Sequence, residues 1–242
     1  MRDYLKDIIE HTSTIGVDLV KITGTSASTI VNAIAEDRSV ILSGTFNAIQ
    51  PEFEGIFGMP NLGKLKTILG FDEYSTDAKI TITKTSRDGV DVPTTIHFEN
   101  KTGDFVNDYR LMSSQLVEDK IKNVKFKGTG WNIEFTPTVA SILRLKKQSQ
   151  ANSEETTFST KVENGNLKVY FGDPSTHSGN FVFQENVTGT LTKVWNWPVQ
   201  QVLGILSLAG DKTFKISDQG AASIVVDSGL AVYEFLLPAQ AK

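Results

Sequence analysis

The sequence TPTVASILRLKKQSQAN, residues 136–152, is the clearest helical segment of the chain. Pro137 suits the first position of a helix, where its missing N–H costs nothing. Three apolar side chains recur at the spacing of one helical face: Val139, Ile142 and Leu143. Arg144 and Lys147 then fall on the polar side, and Lys146 falls near the apolar stripe. These positions predict an amphipathic helix with a cationic, solvent-facing side.

Three further helical segments lie on either side of this one, and β-rich runs separate them. The helical segments are residues 1–11, 61–70 and 198–209. Asp88-Gly89 and Asn164-Gly165 are typical of tight hairpin turns, so the runs around them predict antiparallel strands. The order helix, strands, helix, strands occurs twice. We therefore predict an α+β chain of two similar domains, residues 1–112 and 130–242, joined by a polar connector at 113–129.

Composition removes several classes of enzyme. The 242 residues include no cysteine, which excludes disulfides, thiolate zinc sites, iron–sulfur clusters and cysteine nucleophiles. His11, His97 and His177 stand in unrelated contexts, and no glycine-rich phosphate loop follows a strand. We expect no catalytic residues, no metal and no cofactor. A hydrolase is therefore the weakest of the three functional interpretations considered below.

The charge is distributed unevenly along the chain. Twenty-four basic and 28 acidic residues give a net charge of -4, which argues against a surface that binds nucleic acid throughout. Residues 61–70 and 137–152, however, contain basic residues and no acidic ones. If the chain binds DNA, the sequence places the contact on its helices, because an acidic remainder would repel DNA elsewhere.

No segment predicts export or membrane insertion. Residues 1–11 carry charges throughout and lack the apolar core of a signal peptide. The longest mostly apolar stretch, residues 202–209, is too short to cross a bilayer. We expect a cytoplasmic protein, in the host cytoplasm if it is viral, with no membrane partner.

Several stretches resemble DNA sliding clamps, the processivity factors of DNA polymerases. They are Gly58-Met59-Pro60-Asn61-Leu62, Phe98-Glu99-Asn100, the run from Phe105 to Met112, and VYEFLLP at residues 232–238. The similarity in layout covers essentially the whole chain. Two domains per chain are typical of the trimeric clamps, and the size resembles the clamps of T4-like bacteriophages.

The resemblance implies a homotrimeric ring with antiparallel sheets outside and two helices of each domain inside, around duplex DNA. Phosphates are then contacted without sequence readout, because a protein that slides must bind at any register. The implied pore residues are Lys6, Lys64, Lys66, Arg144, Lys147 and Lys193. The resemblance also implies two protein partners, a DNA polymerase and an ATP-dependent clamp loader.

Ring closure in this family pairs an edge strand of one subunit with an edge strand of the next. The implied interface residues are Phe105, Val106, Tyr109, Phe181, Val182 and Phe183. The implied pocket for partner peptides contains Leu116, Val117, Ile121, Phe235, Leu237 and Pro238. Both assignments have alternatives, since the strands could be covered edges of a monomer and the apolar connector residues could pin the connector to a sheet.

A β-rich viral structural or assembly protein that oligomerises through edge strands is the alternative function.

Overall fold

The computed structural model describes residues 1–87, 89–122 and 130–240. Asp88 of one predicted hairpin and residues 123–129 of the predicted connector lie outside the described residues. The chain divides into two compact units. The first comprises Met1–Glu36, Leu42–Val124 and Ser228–Tyr233, and the second comprises Asp37–Ile41, Lys125–Asp227 and Glu234–Lys242.

The first unit contains strands of two antiparallel sheets, together with three helices. Its helices are α1 (Arg2–Ser13), α2 (Leu62–Leu69) and α3 (Ser114–Lys120), with 3₁₀ turns at Pro51–Phe53 and Asp72–Tyr74. Four strands pair in the order β4-β1-β2-β3, namely β1 (Leu19–Gly24), β2 (Thr29–Ile34), β3 (Ile41–Phe46) and β4 (Gly55–Pro60). The other sheet has the order β5-β6-β7, with β5 (Lys79–Arg87), β6 (Val90–Glu99) and β7 (Val106–Arg110).

The second unit repeats this plan with two helices, α4 (Val139–Ala151) and α5 (Val199–Leu206). A sheet of order β11-β10-β9-β12 contains β9 (Thr157–Glu163), β10 (Asn166–Gly172), β11 (Ser178–Gln184) and β12 (Trp195–Pro198). Four further strands pair in the order β15-β14-β13-β8, namely β8 (Ile133–Phe135), β13 (Asp211–Ser217), β14 (Ala221–Asp227) and β15 (Ala231–Pro238). Residues 231–233 of β15 belong to the first unit.

Alternating burial shows why these segments form half-buried strands. In β15, every second residue is buried: Ala231, Tyr233, Phe235 and Leu237. In β10, Leu167, Val169 and Phe171 are buried in the same way. A side-chain period of two places one face of each strand in the core, so antiparallel sheets with one covered face result.

The hairpin predicted at Asn164-Gly165 is confirmed. Asn166 of β10 pairs with Glu163 of β9, which leaves a two-residue loop. Asn164 and Gly165 both have positive φ, 52° and 75°. A type I′ turn requires this conformation at both central positions, and its twist matches that of the strands.

The structure corrects two predictions about the helix at residues 136–152. The helix begins at Val139, not Pro137, because Thr138 is the N-cap and its hydroxyl accepts a hydrogen bond of 3.1 Å from the Ser141 amide. The predicted apolar stripe is not the buried face, since Val139 is 75% and Leu143 52% exposed. Ser141 and Leu145 are buried instead. Lys146, expected near the buried stripe, is exposed.

Close packing on β11 explains which face of α4 is buried. A side chain on Gly179 of β11 would clash with Gln148 Oε1 and would meet Asn152 Nδ2 at 3.0 Å. The helix therefore approaches β11 through Ser141, Leu145, Gln148 and Asn152, where the glycine leaves space. Hydrophobicity alone therefore predicts the wrong buried face of α4, because the fit of the helix against β11 depends on the shape of its side chains as well as on their polarity.

Candidate functional site

The first unit brings three of the implied pore cations to one pair of helices. Helix α1 packs against α2, and Lys6, Lys64 and Lys66 are exposed on them. A groove of about 560 Å³ lies between the two helices. The charged residues that line it are Arg2, Lys6, Glu10, Lys66 and Asp72. Two acidic residues therefore moderate the positive charge of this groove.

Side-chain hydrogen bonds fix both ends of α2. At the start, Asn61 has a left-handed backbone (φ 57°), and its side chain does not cap the helix as predicted. Asp18 takes this role, since its Oδ1 accepts a hydrogen bond of 2.9 Å from the Leu62 amide. At the end, the Arg2 guanidinium donates to the carbonyls of Leu69 and Ser75 at 3.1 and 3.2 Å. The lysines of α2 are thus carried by a helix that is anchored at both termini.

The second unit places its cations on α4. Helix α4 packs against α5 and β11, and Arg144, Lys146 and Lys147 are exposed. Lys147 follows the buried Leu145 by two residues, about 200° around the helix, so it points away from the sheet. Arg144 is about 100° from Leu145 and lies on a flank. Helix α5 contains no basic residue.

Lys193, the sixth implied pore residue, does not lie on a helix. It precedes β12, which separates it from α5, and its Nζ lies 5.7 Å from the centre of the Trp195 ring. The amides of Thr192 and Lys193 donate to the Asp218 carboxylate at 2.9 and 3.3 Å. Lys193 therefore sits in a loop that Asp218 holds in place.

Five of the implied pore cations have no carboxylate partner among the residues that the structure describes. Over residues 1–87, 89–122 and 130–240, no ion pair within 4.0 Å involves any of them: Lys6, Lys64, Lys66, Arg144 and Lys147. Other lysines are paired, as in Lys101–Asp77 at 2.7 Å and Lys168–Glu163 at 3.0 Å. The unpaired cations are thus available to an anionic ligand.

The implied interface strands β7 and β11 occupy the ends of their sheets. Strand β7 ends the order β5-β6-β7, and β11 begins the order β11-β10-β9-β12, among the strands that the structure describes. An edge strand offers free backbone donors and acceptors to another strand. Val106 is 47% exposed, Phe105, Phe181 and Val182 are half-buried, and Tyr109 and Phe183 are buried.

The two buried side chains, Tyr109 of β7 and Phe183 of β11, fix these strands to the core. The Tyr109 hydroxyl donates to the carbonyl of Pro60, and burial followed by the charge of Asp18 raises the pKa of Tyr109. Phe183 packs edge-to-face on Phe135, with ring centres 5.7 Å apart. Neither side chain is available to a second subunit, so any contact made by these strands uses their backbone and the other side chains.

The implied partner pocket divides in the same way into exposed and buried residues. Leu116 on α3 is 56% exposed. Val117 and Ile121 are buried, and a side chain on Gly58 would meet Val117 at 2.9 Å. Phe235 and Leu237 are buried and Pro238 is exposed. Within the connector that was expected as a polar linker, Ser114–Lys120 form helix α3, which packs against β4 and exposes Leu116.

Sequence reasoning missed a buried polar cluster in the first unit. Asp7 adjoins Lys6 in a charged segment, which predicts a solvent-facing acid, yet it is buried and accepts hydrogen bonds from Tyr233 at 2.8 Å and Ser228 at 3.1 Å. His11 is also buried, and its Nδ1 lies 2.8 Å from the Asp7 carbonyl oxygen. The available signal was helical spacing, because Asp7, Ile8 and His11 share the buried side of α1.

The described ranges contain neither a metal cluster nor a membrane-spanning helix. No group of three or more His, Asp or Glu side chains in them could hold a metal ion. Across the same residues, no helix has the length and apolar character that a bilayer requires.

Comparison with solved structures identifies the fold. The chain is similar to a structure titled "C-terminal region of FEN-1 bound to A. fulgidus PCNA", with a TM-score of 0.71 and 12% sequence identity. The similarity covers 100% of this chain and 96% of that one. The expected α+β fold is confirmed, and it is the two-domain clamp fold of PCNA. No protein-family model and no curated protein matches the sequence.

Proposed function

We propose that the chain is a DNA sliding clamp of the T4-like bacteriophage kind, a homotrimeric ring that tethers a replicative polymerase to duplex DNA. The observation that carries the proposal is the PCNA-like fold over the full chain. The exposed, unpaired lysines on helices of both units support it, because a clamp needs cations where DNA passes. The proposed role requires no catalytic residue, cofactor or metal.

The DNA-facing residues in this proposal are Lys6 on α1, Lys64 and Lys66 on α2, and Lys147 on α4. Lysine ammonium groups on flexible stems meet phosphates at any rotation of the duplex, which suits a protein that slides. Arg144 occupies the flank of α4, and Lys193 lies outside the helices, so neither is needed in this set. The acids Glu10 and Asp72 beside Lys6 and Lys66 keep the contact weak and sensitive to salt.

Ring closure in this proposal joins β7 of one copy to β11 of the next. The two strands are edges of different sheets, so the contact is head-to-tail, and a head-to-tail contact closes when the rotation between copies is one third of a turn. In a closed ring, every β7 edge would be paired with a β11 edge and none would stay exposed. Weak DNA contacts then suffice, because a closed ring leaves DNA only by opening or by reaching an end.

We place the polymerase and the ATP-dependent clamp loader at the connector helix α3. Leu116 is exposed there on a helix that Val117 and Ile121 hold in place, which is the arrangement expected of an apolar anchor for a partner peptide. In the similar structure, the PCNA is bound to a region of another protein, FEN-1. The ring would act in the host cytoplasm.

Charge reversal tests the DNA-facing set. The variant Lys64→Glu/Lys66→Glu/Lys147→Glu should bind DNA far more weakly in a salt titration. The slope of log affinity against log salt should fall by about one for each phosphate that the variant no longer neutralises. The matched control is Lys84→Glu/Lys120→Glu/Lys122→Glu, which reverses three exposed lysines outside the set. Equal weakening in the two variants would show that only net charge matters and would contradict the proposed DNA-facing surface.

A further inference from the structure

Arg144 lies on the flank of α4 that adjoins the edge strand β11. Gln148 follows Arg144 by one helical turn, so the two side chains lie in one row. Gln148 Oε1 is the atom nearest to the position that a side chain on Gly179 would occupy, and Gly179 belongs to β11. Arg144 is exposed and continues this row, so it lies on the side of α4 whose Gln148 packs on β11.

An acidic turn stands beside the other edge strand, β7. Tyr74 ends the 3₁₀ turn Asp72–Tyr74, and its hydroxyl accepts a hydrogen bond of 2.8 Å from the side chain of Asn107 in β7. Asp72 and Glu73 in the same turn are exposed. Two negative charges therefore flank β7.

Half-buried aromatic residues show which faces would join. Phe105, immediately before β7, packs on Phe71 and Tyr74, with ring centres 5.8 and 5.6 Å from those of the two residues. Phe181 in β11 packs on Phe183 at 6.0 Å. Pairing of β7 with β11 would bury both partly exposed rings, and it would bring the turn that contacts β7 and the helix that packs on β11 to the same junction.

We propose that Arg144 forms a salt bridge with Asp72 or Glu73 of the adjacent copy and thereby holds the subunits together. The proposal rests on the ring closure proposed above. Within the described residues neither Arg144 nor the two acids has an ion-pair partner in its own chain, so their charges are complementary and available. A guanidinium suits the role, because its planar fork binds a carboxylate through two hydrogen bonds.

This assignment separates two neighbouring cations of α4. Lys147 faces away from the sheet, toward the proposed DNA path, whereas Arg144 lies in the row of Gln148, which packs on β11. Reversal of Lys147 should therefore weaken DNA binding and leave the assembly intact. Reversal of Arg144 should weaken the assembly.

A charge-swap experiment tests the salt bridge. The midpoint concentration of assembly is measured by sedimentation for the wild type, Arg144→Glu, Asp72→Lys/Glu73→Lys, and the combination of all three changes. Arg144→Glu and the double variant should each raise the midpoint by about tenfold or more, and the combination should restore most of the wild-type assembly, as expected for a coupled pair. Added salt should raise the wild-type midpoint.

The outcomes distinguish this salt bridge from the ring itself. Lys147→Glu is the matched control and should leave the midpoint unchanged while it lowers DNA binding. A wild-type assembly whose midpoint is indifferent to Arg144→Glu, or a combined variant no better than the single ones, overturns the salt bridge alone. A wild-type chain that stays monomeric at every concentration overturns the proposed ring and the salt bridge together.

Discussion

The hydroxyl of Tyr233 donates a hydrogen bond of 2.8 Å to Oδ2 of Asp7, across 226 residues of sequence. Both side chains are buried, and the ring of His11 stacks on the Tyr233 ring with centres 4.1 Å apart. The pair ties α1 at the beginning of the chain to β15 near its end, within the first unit. The helix that carries Lys6 is thus held by a buried polar contact as well as by apolar packing.

Removing this hydroxyl should destabilise the protein. Tyr233→Phe leaves a buried carboxylate with one donor fewer, and a hydrogen bond to a charged group contributes about 1.5–3 kcal/mol. Urea denaturation would measure the decrease in the free energy of unfolding. Tyr4→Phe is the control, because Tyr4 is half-buried on the same helix and outside the cluster. Equal stability of the two variants would contradict the role of the Tyr233 hydroxyl.

The same tyrosine predicts a loss of stability at alkaline pH. Burial, followed by the charge of Asp7, raises the pKa of Tyr233. In the unfolded chain the pKa of a tyrosine is about 10. The stability that the protonated Tyr233 hydroxyl contributes is fully present below about pH 10. It is lost as the pH rises further, because the unfolded chain releases the tyrosine proton more readily than the folded one. The free energy of unfolding should therefore fall above about pH 10, and less steeply in Tyr233→Phe. Parallel pH profiles of the two proteins would refute this linkage.

Two glycines should respond in opposite ways to a methyl group. A side chain on Gly44 would lie 2.6 Å from the Tyr233 ring, so Gly44→Ala should cost about 1–3 kcal/mol of stability through overpacking. Gly63 is exposed within α2 and has nothing within 4 Å, so Gly63→Ala should add about 0.5–1 kcal/mol by favouring the helix. Denaturation midpoints of the two variants on the same side of the wild type would contradict this account.

The buried Lys21 should control the order of the connector. Its Nζ donates to the carbonyl of Ile121 at 3.3 Å, immediately after α3. Lys21→Met removes this donor while keeping an apolar side chain of similar length, so the amides of residues 114–121 should exchange hydrogen faster. Lys64→Met, at an exposed position, is the control. Unchanged exchange in Lys21→Met would show that apolar packing alone holds the connector.

Periodic elements with defined boundaries could be predicted from the sequence. Helices α2 and α5 lie within their predicted segments, and α1 begins in its segment and continues two residues beyond it, to Ser13. Each has apolar residues at helical spacing. The turn at Asn164-Gly165 was predictable from local chemistry, since its two residues tolerate positive φ. Local rules thus account for most elements and for their order.

Long-range contacts could not be predicted from the same rules. The buried face of α4 depends on the space above Gly179, and the burial of Asp7 depends on Tyr233 and Ser228, far away in sequence. The connector helix depends on Val117 packing against Gly58. In each case tertiary packing, which single-residue preferences do not contain, determines the outcome.

The most direct test of the proposed clamp is whether the protein is held on DNA by topology. Protein is added to linear duplex whose biotinylated ends are free, streptavidin then blocks both ends, and the salt concentration is raised. A closed ring that has passed over an end should remain on blocked DNA and leave unblocked DNA, because salt weakens phosphate contacts but cannot open a topological link. Equal release from blocked and unblocked DNA would contradict the central claim that this chain forms a ring around the duplex.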